Sequence, residues 1–340
     1  MNHSMNQRRR SLVVLGAGTL TTVLTGELTS GLAAHAQGSA PPARIGIIVP
    51  SNVAGNATRL AAFKQGMREN GLIEGRHYVL DVVYADGQYE RLPALAQELL
   101  QRKPALIMMN SAAAVRAAQQ ATRTVPIVMT SVTDPVGSGL VASLARPGGN
   151  TTGLSTQAED TNAKFVEFVR EALPLAKRIA LLINPGNPSH PKLGKQVRAA
   201  ALRFGIETRA FEAATPAALD AAFVAIAKQR PDALVVLRDA MLNAEAQRIS
   251  AFALKHRIAA FSGFANFAEA GSLLSYGPSI PDMDRRSANY VKKILAGARP
   301  GDLPVEQPTK FEMVINLKTA KALDIKIPQS LLVQAERVIE

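Results

Sequence analysis

The sequence contains no cysteine and no tryptophan, and aromatic residues make up only 5% of it. The absence of cysteine excludes disulfide bonds, thiolate nucleophiles, zinc ribbons, iron–sulfur clusters and a lipid-modified N-terminal cysteine. Disordered, collagen-like and coiled-coil classes are excluded by composition, since 47% of the residues are hydrophobic and 19% are charged. The 340 residues therefore predict a globular protein of about two domains.

Motifs for the common catalytic mechanisms are also lacking. The sequence holds no HExxH pair, no G-x-S-x-G elbow and no Walker A loop. Three histidines, His77, His190 and His256, are far apart in the chain, and the other two lie near the N-terminus. We therefore expect no enzymatic activity, no metal and no cofactor.

The chain is strongly basic, with 39 Lys plus Arg against 27 Asp plus Glu and a formal net charge of +12. Nucleic-acid-binding proteins concentrate such charge on one face and often interleave it with aromatic residues. Here the basic residues are spread over every segment among few aromatics, so we expect no nucleic-acid partner.

Residues 1–36 have the pattern of a secretory signal peptide. Arg8-Arg9-Arg10 precedes an apolar stretch of small residues over 12–24, and Ala34-His35-Ala36 has the form of a cleavage site. We expect cleavage after Ala36, a linker over 37–43 and a periplasmic location. The same arginines, followed by Ser11-Leu12-Val13, also fit a twin-arginine signal, so both the Sec and the twin-arginine routes stay open.

From residue 44 onward, short β-branched runs alternate with amphipathic stretches, which is typical of a parallel sheet with helices on both faces. The first series of predicted strands is Ile45–Val49, Tyr78–Tyr84, Ala105–Met109 and Ile127–Thr130, with helices over 57–70, 89–103 and 112–122. The second series is Ile179–Ile183, Glu207–Phe211, Ala233–Leu237, Ala259–Phe261 and Leu273–Tyr276, with helices over 189–204, 216–229 and 244–256. A further helix is predicted over 282–296. The doubled pattern predicts two α/β lobes.

One segment of this pattern occurs twice. The run from Gln101 to Met108, a helix end followed by a proline and a buried strand, is echoed by the run from Lys228 to Val235. In both, the proline stands where a helix must stop and a central strand begins. Chance similarity between two units of one architecture is the alternative explanation.

Eight short blocks of sequence, taken together and in this order, are specific enough to compare with known families. They are GLIEGR (71–76), RLPALA (91–96), DPV (134–136), GLVASLARPGGN (139–150), NP (184–185), SYG (275–277), LPVEQPTKF (303–311) and VINLKTAKAL (314–323). Together they resemble the ABC transporter substrate-binding proteins of the tryptophan/tyrosine-binding type. The resemblance covers essentially the whole chain that follows the predicted signal peptide.

This resemblance implies an α/β fold of the type I periplasmic binding protein class, with two doubly wound, Rossmann-like lobes joined by three crossovers. It places the first lobe at 44–153 plus 278–303 and the second at 154–277 plus 304–340, with the ligand cleft between them. It further implies a non-enzymatic protein that delivers a small molecule to an ABC permease in the inner membrane. We expect this protein to be a monomer.

In open parallel sheets, ligands lie beyond the carboxyl ends of the strands, where helix N-termini present free N–H groups. The loops that follow the strands of the first series contain the candidate ligand-binding residues Ser51, Asn52, Asn110, Ser111, Ala112, Ser131 and Asp134. The loop over 110–113 is the preferred carboxylate site. A plain helix cap is the alternative role for Ser111.

The corresponding loops of the second series contain the candidates Asn184, Asp239 and Phe264. Asp239 is a candidate partner for an α-ammonium group, and the alternative is that it caps the next helix. Phe264 is a candidate apolar wall of the ligand site, and the alternative is a core residue.

The expected function is the capture of a small carboxylate-bearing metabolite, with an amino acid as the expected case, by hinge closure of the two lobes. A periplasmic receptor that presents its liganded form to a membrane signalling protein is the alternative. A secreted α/β enzyme is a third and weaker one, because no nucleophile and base emerge as a pair.

Overall fold

The computed structural model describes residues 41–156 and 158–340, so the predicted signal peptide and its cleavage site after Ala36 lie outside the described residues. The chain forms two β-sheets, one of five strands and one of seven. The strands of the first sheet are β1 (Ala43–Val49), β2 (Tyr78–Tyr84), β3 (Leu106–Met109), β4 (Ile127–Val132) and β5 (Thr151–Ser155). All are parallel, in the order β2-β1-β3-β4-β5.

The second sheet is parallel except at one edge. Its strands are β6 (Arg178–Ile183), β7 (Glu207–Glu212), β8 (Ala233–Val236), β9 (Ala259–Ser262), β10 (Leu274–Pro278), β11 (Phe311–Asn316) and β12 (Arg337–Ile339). They lie in the order β12-β11-β10-β9-β8-β6-β7, and only the β10 and β11 pair is antiparallel.

Helices connect the strands and cover both sheets. They are α1 (Val53–Glu69), α2 (Leu92–Gln101), α3 (Ala112–Ala121), α4 (Ala158–Ala172), α5 (His190–Leu202), α6 (Ala218–Gln229), α7 (Ala240–Ala244), α8 (Ala246–Lys255), α9 (Ala265–Glu269), α10 (Ile280–Leu295), α11 (Leu317–Ala322) and α12 (Gln329–Gln334). Short 3₁₀ turns form at Tyr89–Arg91 and Pro300–Asp302. None of the helices in the described ranges combines the length and the apolar character needed to span a bilayer.

The two sheets repeat one doubly wound unit. The order β2-β1-β3-β4-β5 in the first sheet matches β7-β6-β8-β9-β10 in the second. In each unit the strand order reverses between the first and the third strand, and this reversal opens a crevice at the carboxyl ends of the strands. The predicted α/β fold with two doubly wound lobes is therefore confirmed.

The echoed sequence segments share an unusual backbone conformation. Lys103 and Arg230, the residues before the two prolines, have positive φ angles of 52° and 46°. A left-handed residue at this place ends the helix and turns the chain toward the buried strand. The two segments therefore perform the same structural task in the two sheets.

Several predicted helix boundaries need correction. α1 begins at Val53 rather than at residue 57, because the Asn52 side chain accepts a hydrogen bond from the Gly55 amide at 2.8 Å and caps it. The helix predicted over 244–256 is α8, which begins at Ala246, and it is preceded by the short helix α7, which was not predicted and is capped by Asp239. The sequence pattern also did not predict β5, β11 and β12.

The chain passes between the sheets three times. It leaves the first sheet after β5, returns after β10 to form α10, and then enters the second sheet again at β11. α10 packs on α1 and β4, so it belongs with the first sheet. We call the first sheet with α1, α2, α3 and α10 the first lobe, and the second sheet with its helices the second lobe. The exact boundaries, 44–153 plus 278–303 and 154–277 plus 304–340, stay a prediction.

Candidate ligand-binding site

A cavity of about 30 Å³ lies between the two lobes at the carboxyl ends of their strands, which is room for about two water molecules. It adjoins a larger open groove of about 680 Å³ between α1 and the second lobe. The first lobe contributes Ser51, Gly55, Arg59, Asn110, Ser111, Ala112, Ser131 and Thr133, and the second lobe contributes Asn187, Arg238, Asp239, Ala240, Asn243 and Phe264.

The structure brings most of the sequence-predicted residues together at this cavity. Its lining includes Ser51, Asn110, Ser111, Ala112, Ser131, Asp239 and Phe264. Asn52 lies on an adjoining groove between the lobes, where it caps α1. Asp134 and Asn184 lie outside the lining and act through hydrogen bonds described below.

The loop between β3 and α3 forms one wall from the first lobe. Ser111 caps α3, because its hydroxyl accepts a hydrogen bond from the Ala114 amide at 3.1 Å. The first N–H groups of a helix have no partner within the helix, so this end of α3 carries partial positive charge toward the cavity. Asn110, just before the cap, has a buried side-chain oxygen that finds no hydrogen-bond partner within residues 41–156 and 158–340.

Arg59 of α1 lines the cavity from the first lobe. Its Nη2 donates to the hydroxyls of Thr130 (3.2 Å) and Ser131 (2.7 Å). The same nitrogen pairs with Oδ1 of Asp284 on α10 at 2.8 Å. These contacts fix the guanidinium group between two helices and β4.

Asp284, the acid that holds Arg59, is completely buried. Burial raises the pKa of Asp284 to about 6, although the positive charge of Arg59 acts in the opposite direction. Its second oxygen, Oδ2, has no hydrogen-bond partner in the part of the chain that the structure describes. The ion pair therefore carries an uncompensated desolvation cost, which is a feature found more often at functional sites than at purely structural ones.

Asp239 is saturated with hydrogen bonds from the protein itself. Its Oδ1 accepts from the amides of Met241 (2.9 Å) and Leu242 (3.1 Å), which caps α7, and also from Asn184 Nδ2 (3.2 Å). Its Oδ2 accepts from Tyr89 Oη (2.8 Å) and Asn187 Nδ2 (3.1 Å). A carboxylate has about four lone-pair positions. The structure therefore favours the helix-cap role over pairing with a ligand ammonium group.

His190 forms hydrogen bonds to the backbone of the loops on either side of this Asp239 network. Its Nδ1 accepts a hydrogen bond from the Asn184 amide at 2.9 Å, so the neutral tautomer carries its proton on Nε2, which faces the Arg238 carbonyl at 3.1 Å. Burial lowers the pKa of His190. The neutral imidazole therefore links the two loops that carry Asn184 and Arg238 and holds them in one relative position.

Direct contacts join the lobes beside the cavity. Asp134, whose φ is 42°, accepts from Lys192 Nζ at 2.6 Å and from the Gly137 amide at 2.8 Å. Ser189 donates to the Thr133 carbonyl at 3.0 Å and lies 2.9 Å from the hydroxyl of Ser138. Together with the Tyr89 and Asp239 hydrogen bond, these contacts define a closed arrangement of the two lobes.

Arg238, two positions after the end of β8, provides the positive charge of the second lobe at the cavity. The residue is only 2% exposed, and its guanidinium carbon lies 4.0 Å above the centre of the Phe264 ring. Its Nη1 donates to the Gly263 carbonyl, while its Nε is buried without a partner. Burial, followed by repulsion from Arg59, lowers the pKa of Arg238 to about 9.

Five polar or charged side chains of the cavity are not among the residues predicted from the sequence, namely Arg59, Thr133, Asn187, Arg238 and Asn243. Arg238 carries a signal that could have found it, since it is a cation at the end of the apolar run Ala233–Leu237 and so is expected to be buried. Arg59 and Asn243 carry no such signal, because helix faces toward a second lobe cannot be assigned from one sequence. Asn243 Oδ1 is a further buried atom without a partner.

Within the described ranges, no group of three or more His, Cys, Asp or Glu side chains is arranged to hold a metal ion. The cavity chemistry is instead that of guanidinium, amide and hydroxyl groups around one aromatic ring. Such a set can bind a small polar molecule by hydrogen bonds and charge, with the ring covering an apolar part.

Comparison with known families gives one result that covers almost the whole chain. A family model described as ABC transporter substrate binding protein matches residues 44–339. The chain is also 26% identical over 264 residues to a tyrosine-binding protein of Clostridioides difficile strain R20291, an alignment that covers 78% of this chain and 76% of that protein.

Solved structures resemble this one over most of its length. A conserved domain protein of Vibrio cholerae superposes with a TM-score of 0.81 at 28% identity, covering 87% of this chain and 99% of the other. A domain of Streptococcus pneumoniae in complex with L-Trp superposes with a TM-score of 0.78 at 23% identity, covering 87% of this chain and 100% of the other. At this lower identity the second likeness concerns the fold alone.

Proposed function

The chain belongs to the family of ABC transporter substrate-binding proteins, and on that premise we propose that it captures a small carboxylate-bearing solute, with an amino acid as the expected case, and delivers it to a membrane permease. The protein performs no chemistry on the solute. It works as a monomer in the periplasm, after removal of residues 1–36.

One observation carries this proposal, namely that both lobes supply unsatisfied polar groups to a single cavity. Asn110 from the first lobe and Asn243 from the second each have a buried side-chain oxygen without a hydrogen-bond partner. Buried polar groups are almost always paired in folded proteins, and leaving one unpaired costs about 1–3 kcal/mol. A polar solute that binds between the lobes would satisfy both groups and so favour closure.

The direct contacts between the lobes support a closure mechanism. The loop bearing Asp134 meets the helix bearing Lys192, and Tyr89 meets Asp239, so each lobe holds the other through groups placed around the cavity. A solute must therefore enter while the lobes are apart. The closed form then differs from the open form in surface shape, and this difference is what a permease recognises.

The test begins with export. The full chain, expressed in a Gram-negative host, is expected in the periplasm with an N-terminus at Gln37. Protein purified from that compartment is screened by thermal shift against amino acids, organic acids, nucleosides and sugars. A solute at a hundredfold excess over its Kd is expected to stabilise the protein by about 2.7 kcal/mol. If no class of solute shifts the unfolding temperature, the proposed function is contradicted.

A further inference from the structure

Arg238 is a buried cation to which the described residues supply no ion-pair partner. Among the described residues, no Asp or Glu oxygen lies within the 4.0 Å limit of an ion pair with its guanidinium group. The neighbouring Asp239 is committed to Tyr89, Asn184, Asn187 and the first amides of α7. Placing a charge away from water without a partner is costly, so such a group normally has a counter-ion.

The fold reserves space for this cation. A Cβ atom at Gly263 would lie 2.5 Å from Arg238 Cγ, and one at Gly277 would lie 2.7 Å from its Nη1. Both glycines belong to loop and strand ends that surround the side chain, and Phe264 stacks on its planar face. Two glycines and an aromatic ring thus hold an unpaired guanidinium group in one position at the cavity wall.

A second cation faces the same cavity from the opposite lobe. Arg59 is held by Asp284 and two hydroxyls, and it is close enough to Arg238 that its charge helps to lower the pKa of Arg238. Two guanidinium groups that approach when the lobes close repel each other. An anion between them would reverse this effect, because it attracts both.

We propose that the anionic group of the ligand, a carboxylate, binds to Arg238 and bridges it to Arg59 across the cleft, so that lobe closure requires an anion. This inference rests on the proposed function and adds the charge-recognition residues to it. Planar guanidinium groups match the geometry of a carboxylate. The N-terminus of α3 at the same cavity adds to the positive potential.

The test compares acids with amides of the same shape. Four pairs, the L-forms of tyrosine, tryptophan, leucine and alanine and their carboxamides, are titrated into the exported protein by calorimetry at pH 7. Where an acid binds, its amide is expected to bind about 10- to 100-fold more weakly, because a charged hydrogen bond is lost. The acid-to-amide ratio then reports on charge recognition without any mutation.

Variants of single arginines test whether the preference for the acid over the amide comes from Arg238. Arg238→Met removes the charge but keeps an unbranched side chain, and it is expected to bring the acid-to-amide ratio close to one, while Arg238→Lys restores part of it. The matched control is Arg285→Met, since Arg285 lies on α10 and pairs with Glu69 at the surface, outside the cavity. This control is expected to leave the ratio unchanged. Retained affinity for the amide shows that Arg238→Met is folded.

Three results would overturn the inference. The first is that acid and amide bind wild type within about threefold of each other, which is below the effect of one charged hydrogen bond. The second is that Arg238→Met keeps the wild-type ratio. The third is that only neutral solutes, such as sugars, stabilise the protein. In all three cases the protein would still bind a solute, so solute capture itself would stand, although the third result would also contradict the carboxylate-bearing class of solute. The absence of any stabilising solute is the separate result that would contradict solute capture.

Discussion

Tyr89 supplies a hydrogen bond that exists only when the two lobes meet. It lies in the 3₁₀ turn after β2 in the first lobe, and its hydroxyl donates to Asp239 of the second lobe at 2.8 Å. Burial and the charge of Asp239 raise the pKa of Tyr89 far above its ordinary value, so the hydroxyl keeps its proton at neutral pH. Tyr89→Phe removes this one oxygen and leaves the packed ring in place.

The magnitude follows from the other partners of Asp239. A hydrogen bond to a charged group contributes about 1.5–3 kcal/mol. Asp239 keeps four of its five donors in the variant, including Asn187 Nδ2 on the same oxygen, so it is not left unpaired. We therefore expect the lower end of the range, about 1.5 kcal/mol, which corresponds to about a tenfold higher Kd. The loss falls on the closed state alone, because the open state lacks the contact.

Calorimetric titration of the best solute from the thermal-shift screen measures this change. Tyr290→Phe is the matched control, since the Tyr290 hydroxyl donates to the Pro304 carbonyl at 2.7 Å without crossing the cavity. We expect Tyr290→Phe to lower the free energy of unfolding by about 1 kcal/mol and to leave Kd unchanged.

Either of two results would refute the reasoning. If Tyr89→Phe changes Kd by less than about twofold, the contact does not contribute to closure. If Tyr290→Phe weakens binding as much as Tyr89→Phe does, the effect of both variants is a general loss of stability.

Two further predictions concern the support of the cavity. Burial raises the pKa of Asp284 from 3.8 to about 6, so the native state holds this proton more tightly than the unfolded state does. The stability that the bound proton contributes is lost as pH rises through about 6. Asp284→Asn is expected to remove that part of the pH dependence of the unfolding free energy, measured in urea between about pH 4 and 7, and an unchanged dependence would contradict this assignment. Gly277→Ala places a Cβ 2.2 Å from the Gly263 carbonyl oxygen and 2.7 Å from Arg238 Nη1, so it is expected to cost about 1–3 kcal/mol in urea unfolding and to weaken solute binding. Gly194→Ala is expected to do neither, because no atom outside its own helix backbone lies within 4 Å of the added carbon.

The fold was predictable because its strands and helices follow from local patterns of apolar residues along the chain. Nine of the ten strands of the doubled unit are short runs, most of them apolar, that the pattern predicted, and most helices between them have an apolar face, so the order of elements follows from reading along the chain. The prolines before β3 and β8 mark equivalent places in the two units. The antiparallel β11 was not predicted, because its partner β10 lies across the α10 excursion and no local signal announces the pairing.

The sequence predicted which loops form the site, but it did not predict the role of each side chain in it. The rule that ligands lie at the carboxyl ends of parallel strands correctly indicated the loops that contain Ser51, Asn110 and Ser131. It gave no information on Arg59, which reaches the cavity from the side of a helix. The partners of Asp239 could not be read from the chain either, since Tyr89 is 150 positions away and becomes a neighbour only when the lobes close.

Arg238 and Asp239 show why residue type alone is a poor guide to the function of a buried charge. The two are adjacent in sequence and nearly equally buried, at 2% and 3% exposure. From their chemistry, the aspartate was the candidate for contact with a charged ligand. In the structure the aspartate is surrounded by five donors, while the arginine has one carbonyl and one aromatic ring. The free energy available for binding a ligand depends on what the protein leaves unpaired, and here it leaves the arginine.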